Sequence, residues 1–303
     1  MSPMGWVGFG VLCVLSASSW AIPDEGGLGL LERQGLVYGV VGVVAMLLGW
    51  RRGSAWGSSR DSSGDSSWGW RRLLRVGAAM VGVFGVPIAV VVWTRDWVAE
   101  TNRSALFAMV PVVVVLAVAA GADARGARRF LVPALAGLGG LLLLLPLSSV
   151  GTVQGWSMLA LVMAAVIVAG VSSVALYRLL RGVRLVEALA VAGVANCGFL
   201  LVCSVVRGEF AWRGGALTSA VGFASLADGF EIGLIVWLLR GMPPVRFASR
   251  YLLIPLVTVL ESFVVVRPEP TARLGFGTAL LAVGAGMMLW LKDVEEEAML
   301  SLR

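Results

Sequence analysis

Of the 303 residues, 58% are hydrophobic and only 14% are charged, with a formal net charge of +6 and a mean hydropathy of +0.90. A soluble globular domain is excluded by that balance. The absence of histidine removes Ser/His and Cys/His dyads, imidazole metal sites and the usual proton relay at neutral pH. The three cysteines, Cys13, Cys197 and Cys203, lie in apolar stretches without CxxC spacing, so neither a disulfide nor a metal is expected. No cofactor motif is recognised, and no nucleotide-binding loop is found.

A bilayer core about 30 Å thick takes about 20 apolar residues per helical span. In chain order such runs fall at 5–21, 28–50, 76–93, 105–121 and 130–147, then at 157–177, 188–206, 216–239, 251–266 and 274–291. They are apolar on every face rather than alternating, which selects helices over barrel strands. The fold class expected is therefore all-α, integral to the membrane, with about ten helices in two halves, 1–149 and 150–303. The first run ends on a small residue, Ala21, but has no basic residue before it, so a retained helix is expected rather than a cleaved signal. The polar stretch 51–72, rich in Ser, Gly and Arg, reads as a cytoplasmic linker.

Basic residues fall unevenly on alternate sides of these runs. One side takes 17 of the 24, including Arg51, Arg52, Arg71, Arg72, Arg125, Arg178, Arg240, Arg246, Arg250 and Lys292. The other takes Arg33, Arg95, Arg103, Arg207, Arg213, Arg267 and Arg273. Because short cytoplasmic loops carry the excess, both termini are placed in the cytoplasm, which suits an even number of spans. Arginines scattered over span ends do not form a nucleic-acid patch; the partners expected are membrane lipids, a small-molecule substrate and protons.

Sliding the sequence by 144 residues places Ile232, Val236, Trp237, Pro255 and Val257 over Ile88, Val92, Trp93, Pro111 and Val113. With an odd number of spans in each half, homologous halves would enter the membrane in opposite directions. This pattern resembles the EamA-like branch of the drug/metabolite transporter superfamily, whose members have ten helices in two inverted five-helix repeats. The segment from Leu253 to Trp290 looks like the last two helices of that family, with Pro255 early in the ninth and a glycine-rich tenth. Pro111 occupies the corresponding place in the first half, and Arg33 resembles an arginine often found near the outer end of the second helix. One difference is local: the family often has a glutamate after a glycine near the outer end of the ninth helix, where this chain has Arg267, Pro268 and Glu269, with a further Glu261 inside the helix.

Ionisable groups in hydrocarbon cost several kcal/mol unless paired or hydrated, which makes them functional candidates. Asp228 and Glu231 are three residues apart and share one face of the eighth span, and Glu261 lies past the middle of the ninth. Together they could receive a cationic or amine-bearing substrate or carry protons, because two like charges in low dielectric resist ionising together. The structural alternative is a local pair with an arginine. Asn196 could bond substrate or join two helices; Trp93 and Trp237 could wall a ligand site or belong to interfacial belts. Pro111 and Pro255 suit either gating or packing.

The expectation is a secondary transporter, not an enzyme: a proton-coupled exporter of small metabolites or drugs in a bacterial cytoplasmic membrane, working by alternating access. The competing class is a non-transporting membrane protein, either an accessory subunit or a lipid-modifying enzyme. Reporter fusions test the topology: a fluorescent protein at either terminus is expected to fold and shine in the cytoplasm, and a periplasmic alkaline phosphatase active at a terminus would overturn the assignment.

Overall fold

The computed structural model describes residues 3–21, 29–51, 69–120, 126, 128–210, 223–265, 269 and 271–291. Among them every regular element is helical. In chain order these are α1 (Pro3–Ala17) with a 3-10 turn (Ser18–Ala21), α2 (Leu30–Arg51), α3 (Trp70–Met80), a π-helical segment (Val81–Gly85) and α4 (Val86–Thr94). Next come α5 (Glu100–Phe107), α6 (Val110–Ala119), α7 (Leu131–Leu144), α8 (Val153–Leu179) and α9 (Leu185–Arg207). The last are α10 (Phe223–Gly241), α11 (Pro244–Ala248), α12 (Arg250–Val265) and α13 (Ala272–Trp290).

Among the described residues, seven helical stretches are long and apolar enough to cross a membrane: Leu30–Arg51, Trp70–Thr94, Glu100–Ala119, Val153–Leu179, Leu185–Arg207, Pro244–Val265 and Ala272–Trp290. Two apolar helices are shorter, α1 and α7. α10 is 19 residues long but carries Asp228, Glu231 and Arg240, which sets it apart from the seven. The chain is a multi-pass helical membrane protein. The third span starts earlier than the apolar run implies, because Arg71, Arg72 and Arg75 are already helical in α3. Most of the 51–72 linker, the start of the expected span at 216 and the acidic tail beyond residue 291 lie outside the described residues.

Local sequence accounts for the helix ends. The Thr152 hydroxyl accepts from Gly155 N at 3.0 Å to start α8, and the Thr271 hydroxyl accepts from Leu274 N at 3.2 Å to start α13. α9 stops at Gly208, whose φ of 72° is left-handed. Pro111 stands in the first turn of α6, after a break at Ala108 and Met109; the missing N–H costs nothing there. Pro255 lies inside α12.

With lipid outside and no water to expel between helices, close packing has to hold the bundle, and small residues permit it. α2 and α9 cross where Gly42 faces Gly193; a Cβ on Gly193 would stand 2.5 Å from Gly42 N and 2.7 Å from the Tyr38 carbonyl. α7 and α13 cross where Gly284 meets Gly137 and Gly140 meets Gly277. α8 packs on α4 and α6, while α1 packs on α10 and α12. The wide turn of the π segment brings Gly82 against Ser172 and Gly85 against Asn196 and Phe199. Gly286, by contrast, faces open space.

Substitution separates these roles. Gly193→Ala is expected to lower stability by about 1–3 kcal/mol, since neither backbone can yield without opening the crossing. Gly286→Ala should be neutral, or stabilising by up to about 1 kcal/mol through helix propensity. Thermal unfolding in detergent measures both, and equal midpoints for the two variants would contradict the packing described.

Candidate functional site

A cavity of about 410 Å³ opens between α2, the π segment, α4, α5 and α10. Its walls are apolar: Leu30 from α2, Val83 and Phe84 from the π segment, Pro87, Ile88 and Val91 from α4, and Phe107 from α5. α10 adds Ile232 and Ile235. Four polar side chains face this space, Gln34 and Tyr38 one turn apart on α2, and Asp228 and Glu231 three residues apart on α10. Leu30 begins α2 and Val91 lies near the end of α4, so the cavity occupies the half of the bundle toward those ends. At the opposite end α11 is buried along its whole length.

The two α10 carboxylates have different partners. Asp228 Oδ2 accepts from Gln34 Nε2 at 2.8 Å and from Arg33 Nη2 at 3.3 Å. That ion pair is mostly sheltered, with side chains 15% and 27% exposed. Glu231 Oε1 accepts from the hydroxyl of Ser16 on α1, and no cation stands within ion-pairing distance of it among the described residues. Glu231 is thus an interior carboxylate bonded to a neutral donor, whereas the charge of Asp228 is already matched. Tyr38 is 2% exposed and meets Phe84 edge to face, with ring centroids 5.9 Å apart.

Glu261 on α12 accepts from the Ser18 hydroxyl at 2.6 Å. It does not line the cavity, although α1 lies between its helix and α10. Two hydroxyls two residues apart at the end of α1 therefore each hold an acid, one on α10 and one on α12. Asn196 is fully buried beside Gly85; its Nδ2 donates to Ala192 O at 2.9 Å and its Oδ1 has no hydrogen-bond partner. It stands behind the π segment, on the side away from the cavity lining. Trp237 packs its ring on Gly8, joining α10 to α1, and Trp93 is 38% exposed near the end of α4. Neither tryptophan lines the cavity. Pro111 and Pro255 are likewise outside the lining, each in a helix with a break before it, α5 to α6 and α11 to α12.

Several residues of this region do not stand out in the sequence. Gln34 is uncharged and Ser16 and Ser18 are small, so hydropathy gives them no weight. Glu32, in the first turn of α2, is completely buried; its place next to Arg33 inside an apolar run is a signal that charge in hydrocarbon could have raised. Arg250 counts as a loop arginine by position, yet it is 6% exposed.

No family model and no curated protein matches the chain. Among solved structures, one described only as the crystal structure of a protein superposes with a TM-score of 0.69 at 18% identity. The match covers 96% of this chain and 99% of that one. At that identity the likeness is one of fold alone.

The pairing around Asp228 has a measurable consequence. Arg33→Met leaves Asp228 with one neutral donor and is expected to cost about 1–2 kcal/mol, less than the loss from a fully buried pair because both side chains keep some exposure. The double variant Arg33→Met with Asp228→Asn should recover at least half of the drop in thermal midpoint. If the double variant is as unstable as the sum of the single ones, the pair does not hold α2 to α10.

Proposed function

We propose that the protein is a secondary transporter of the drug/metabolite transporter type, related to its EamA-like branch, which exchanges protons for a small cationic or amine-bearing metabolite or drug across the cytoplasmic membrane. In this reading it acts outward, by alternating access. The observation that carries the proposal is Glu231, an acid lining the cavity with no cation paired to it among the described residues. A unit charge approaching to about 4 Å is attracted by about 4 kcal/mol at an effective dielectric near 20. A cavity of about 410 Å³ suits a small organic molecule, and its walls, Phe84, Phe107, Ile88 and Ile235, would shelter the apolar part of an amine.

The helix pairing supports ten spans in two inverted repeats, 1–149 and 150–303. Taking α3 with α4, α5 with α6, and α11 with α12 as single spans gives ten. The second and seventh then pack together as α2 and α9, and the fifth and tenth as α7 and α13. The third and fourth pack on the sixth, and the eighth and ninth pack on the first. Exchanging the halves maps the second–seventh and fifth–tenth pairings onto themselves and the others onto one another, as an inverted repeat requires. Interrupted helices recur at related places, with a break between α5 and α6 and another between α11 and α12. Such breaks allow the ends of a span to move separately.

Transport in proteoliposomes tests the proposal. An imposed pH gradient is expected to drive flux of labelled tetraethylammonium or of a member of a broad amine panel. Glu231→Gln should reduce that flux to the level of empty liposomes. Asp228→Asn should retain part of it, since Glu231 remains at the cavity while Arg33 loses only the Asp228 carboxylate. The proposal fails if no compound in the panel responds to the gradient, or if Glu231→Gln transports as well as the natural protein.

A further inference from the structure

A hydroxyl inside an apolar helix commonly turns back to the carbonyl four residues earlier, the acceptor nearest to hand. Thr94, Ser173, Thr258 and Thr278 do so here, donating to the carbonyls of Val90, Ala169, Ile254 and Leu274. Ser16, in the last turn of α1, does not: its hydroxyl crosses to α10 and donates to Glu231 Oε1 at 2.5 Å. Glu231 Oε2 accepts no hydrogen bond among the described residues, and Glu231 belongs to the cavity lining. The carboxylate thus has one oxygen held by the protein and one left for whatever enters the cavity.

The register of α1 builds this contact. Gly8, Leu12 and Ser16 are spaced four residues apart and share one face of the helix. Gly8 receives the Trp237 ring, Leu12 is fully buried and Ser16 meets Glu231. Gly8 precedes Ser16 in α1 while Trp237 follows Glu231 in α10, so the two helices run antiparallel. They are joined at two points about 9–12 Å apart along the axes.

Other charged and titratable groups reach Glu231 less directly. On α10 itself Asp228 stands one turn away, matched by Arg33 and Gln34 of α2. Tyr38 of α2 lines the same cavity. Arg250, the first residue of α12, acts on Glu231 from beyond ion-pairing distance. α8, α9 and α11 also pack on α10, and among the described residues none of their side chains bonds Glu231. Ser16 is its direct partner.

We propose that Ser16 is the positioning residue of the site: its hydroxyl fixes Glu231 Oε1 and leaves Oε2 to the cavity, where a proton and a substrate cation compete for that one oxygen. This rests on the transport reading for what occupies Oε2, whereas the hold on Oε1 does not depend on it. A hydrogen bond donated to an ionised carboxylate favours that form over the protonated one. Ser16 therefore sets the pH at which Glu231 exchanges its proton for a cation, without itself touching substrate.

Infrared difference spectroscopy on the full chain in liposomes reads the assignment directly, by following with pH the protonated-carboxyl band that Glu231→Gln removes. In Ser16→Ala the midpoint of that band is expected to move to higher pH by at least about half a unit, or about threefold in proton affinity, because a donor to the ionised form is gone. Ser16→Thr, which keeps the hydroxyl, should restore at least half of the shift. Ser18→Ala, which releases Glu261 instead, should leave the midpoint in place. An unmoved midpoint in Ser16→Ala overturns the proposal, and so does an equal shift in Ser18→Ala, since displacement of α1 then explains both. Should Ser16→Ala not fold, Ser16→Val is compared with Ser16→Thr, which has the same shape and keeps the hydroxyl; equal midpoints in that pair overturn the proposal.

The pH profile of labelled tetraethylammonium flux in proteoliposomes is expected to move with the band in Ser16→Ala and to return with it in Ser16→Thr. A flux profile that stays in place while the band moves overturns the role of Ser16 in exchange. A band that shifts as expected, in a protein that moves neither tetraethylammonium nor any member of the amine panel, defeats the transport reading and leaves the hold of Ser16 on Glu231 standing.

Discussion

Charge placed inside an apolar bundle has to find a partner, and this requirement orders the protein around α10. A carboxylate in low dielectric loses its hydration and recovers it only through donors arranged by neighbouring helices. α10 presents Asp228 and Glu231 from one face, so α2 must bring Arg33 and Gln34 to the first and α1 must bring Ser16 to the second. α12 repeats the demand with Glu261, which the next hydroxyl of the same N-terminal segment, Ser18, meets. The position of α1 between α10 and α12 is accordingly fixed by polar as well as apolar contacts.

Close packing supplies the rest of the order. In lipid, helices gain little from burying leucine against leucine, and the crossings of α2 with α9 and of α7 with α13 depend on glycines that let backbones touch. The same crossing that joins Gly42 to Gly193 lies one turn from Tyr38, whose carbonyl is part of the contact and whose ring meets Phe84. Packing and the cavity are therefore continuous. The π segment has the same double character: Val83 and Phe84 line the cavity, while Gly82 and Gly85 admit Ser172 and Asn196 behind it. A wide helical turn at such a place is a common companion of functional sites, because it redirects side chains without ending the helix.

Two acids three residues apart acquire distinct characters in this setting. Asp228 is a joint between α10 and α2, its charge matched by a guanidinium. Glu231 is bonded to a hydroxyl and faces the cavity. One charged position, not three, remains for a ligand to match. That distinction narrows the proposed substrate to a monocation and leaves Glu261 as a tether of α1. It also gives the inert-looking Ser16 a mechanical part, since the hydroxyl that bonds Glu231 belongs to the helix packed against α12.

Membrane residence, helical class and the placing of most spans were legible in the sequence, because both the length of an apolar run and its all-round hydrophobicity are local properties. The acids at 228, 231 and 261 were legible for the same reason: charge within such a run is conspicuous wherever the chain folds. What the tertiary structure decided was who faces whom. Trp237 and Trp93 look alike under the 144-residue offset, yet one seals α1 to α10 and the other ends α4 half in the open. Asn196 at mid-helix sits behind the cavity wall, and Arg250, by position a loop residue, is buried between two aromatic rings. Such assignments depend on which helices cross and at what rotation, and a pattern apolar on every face carries no record of rotation.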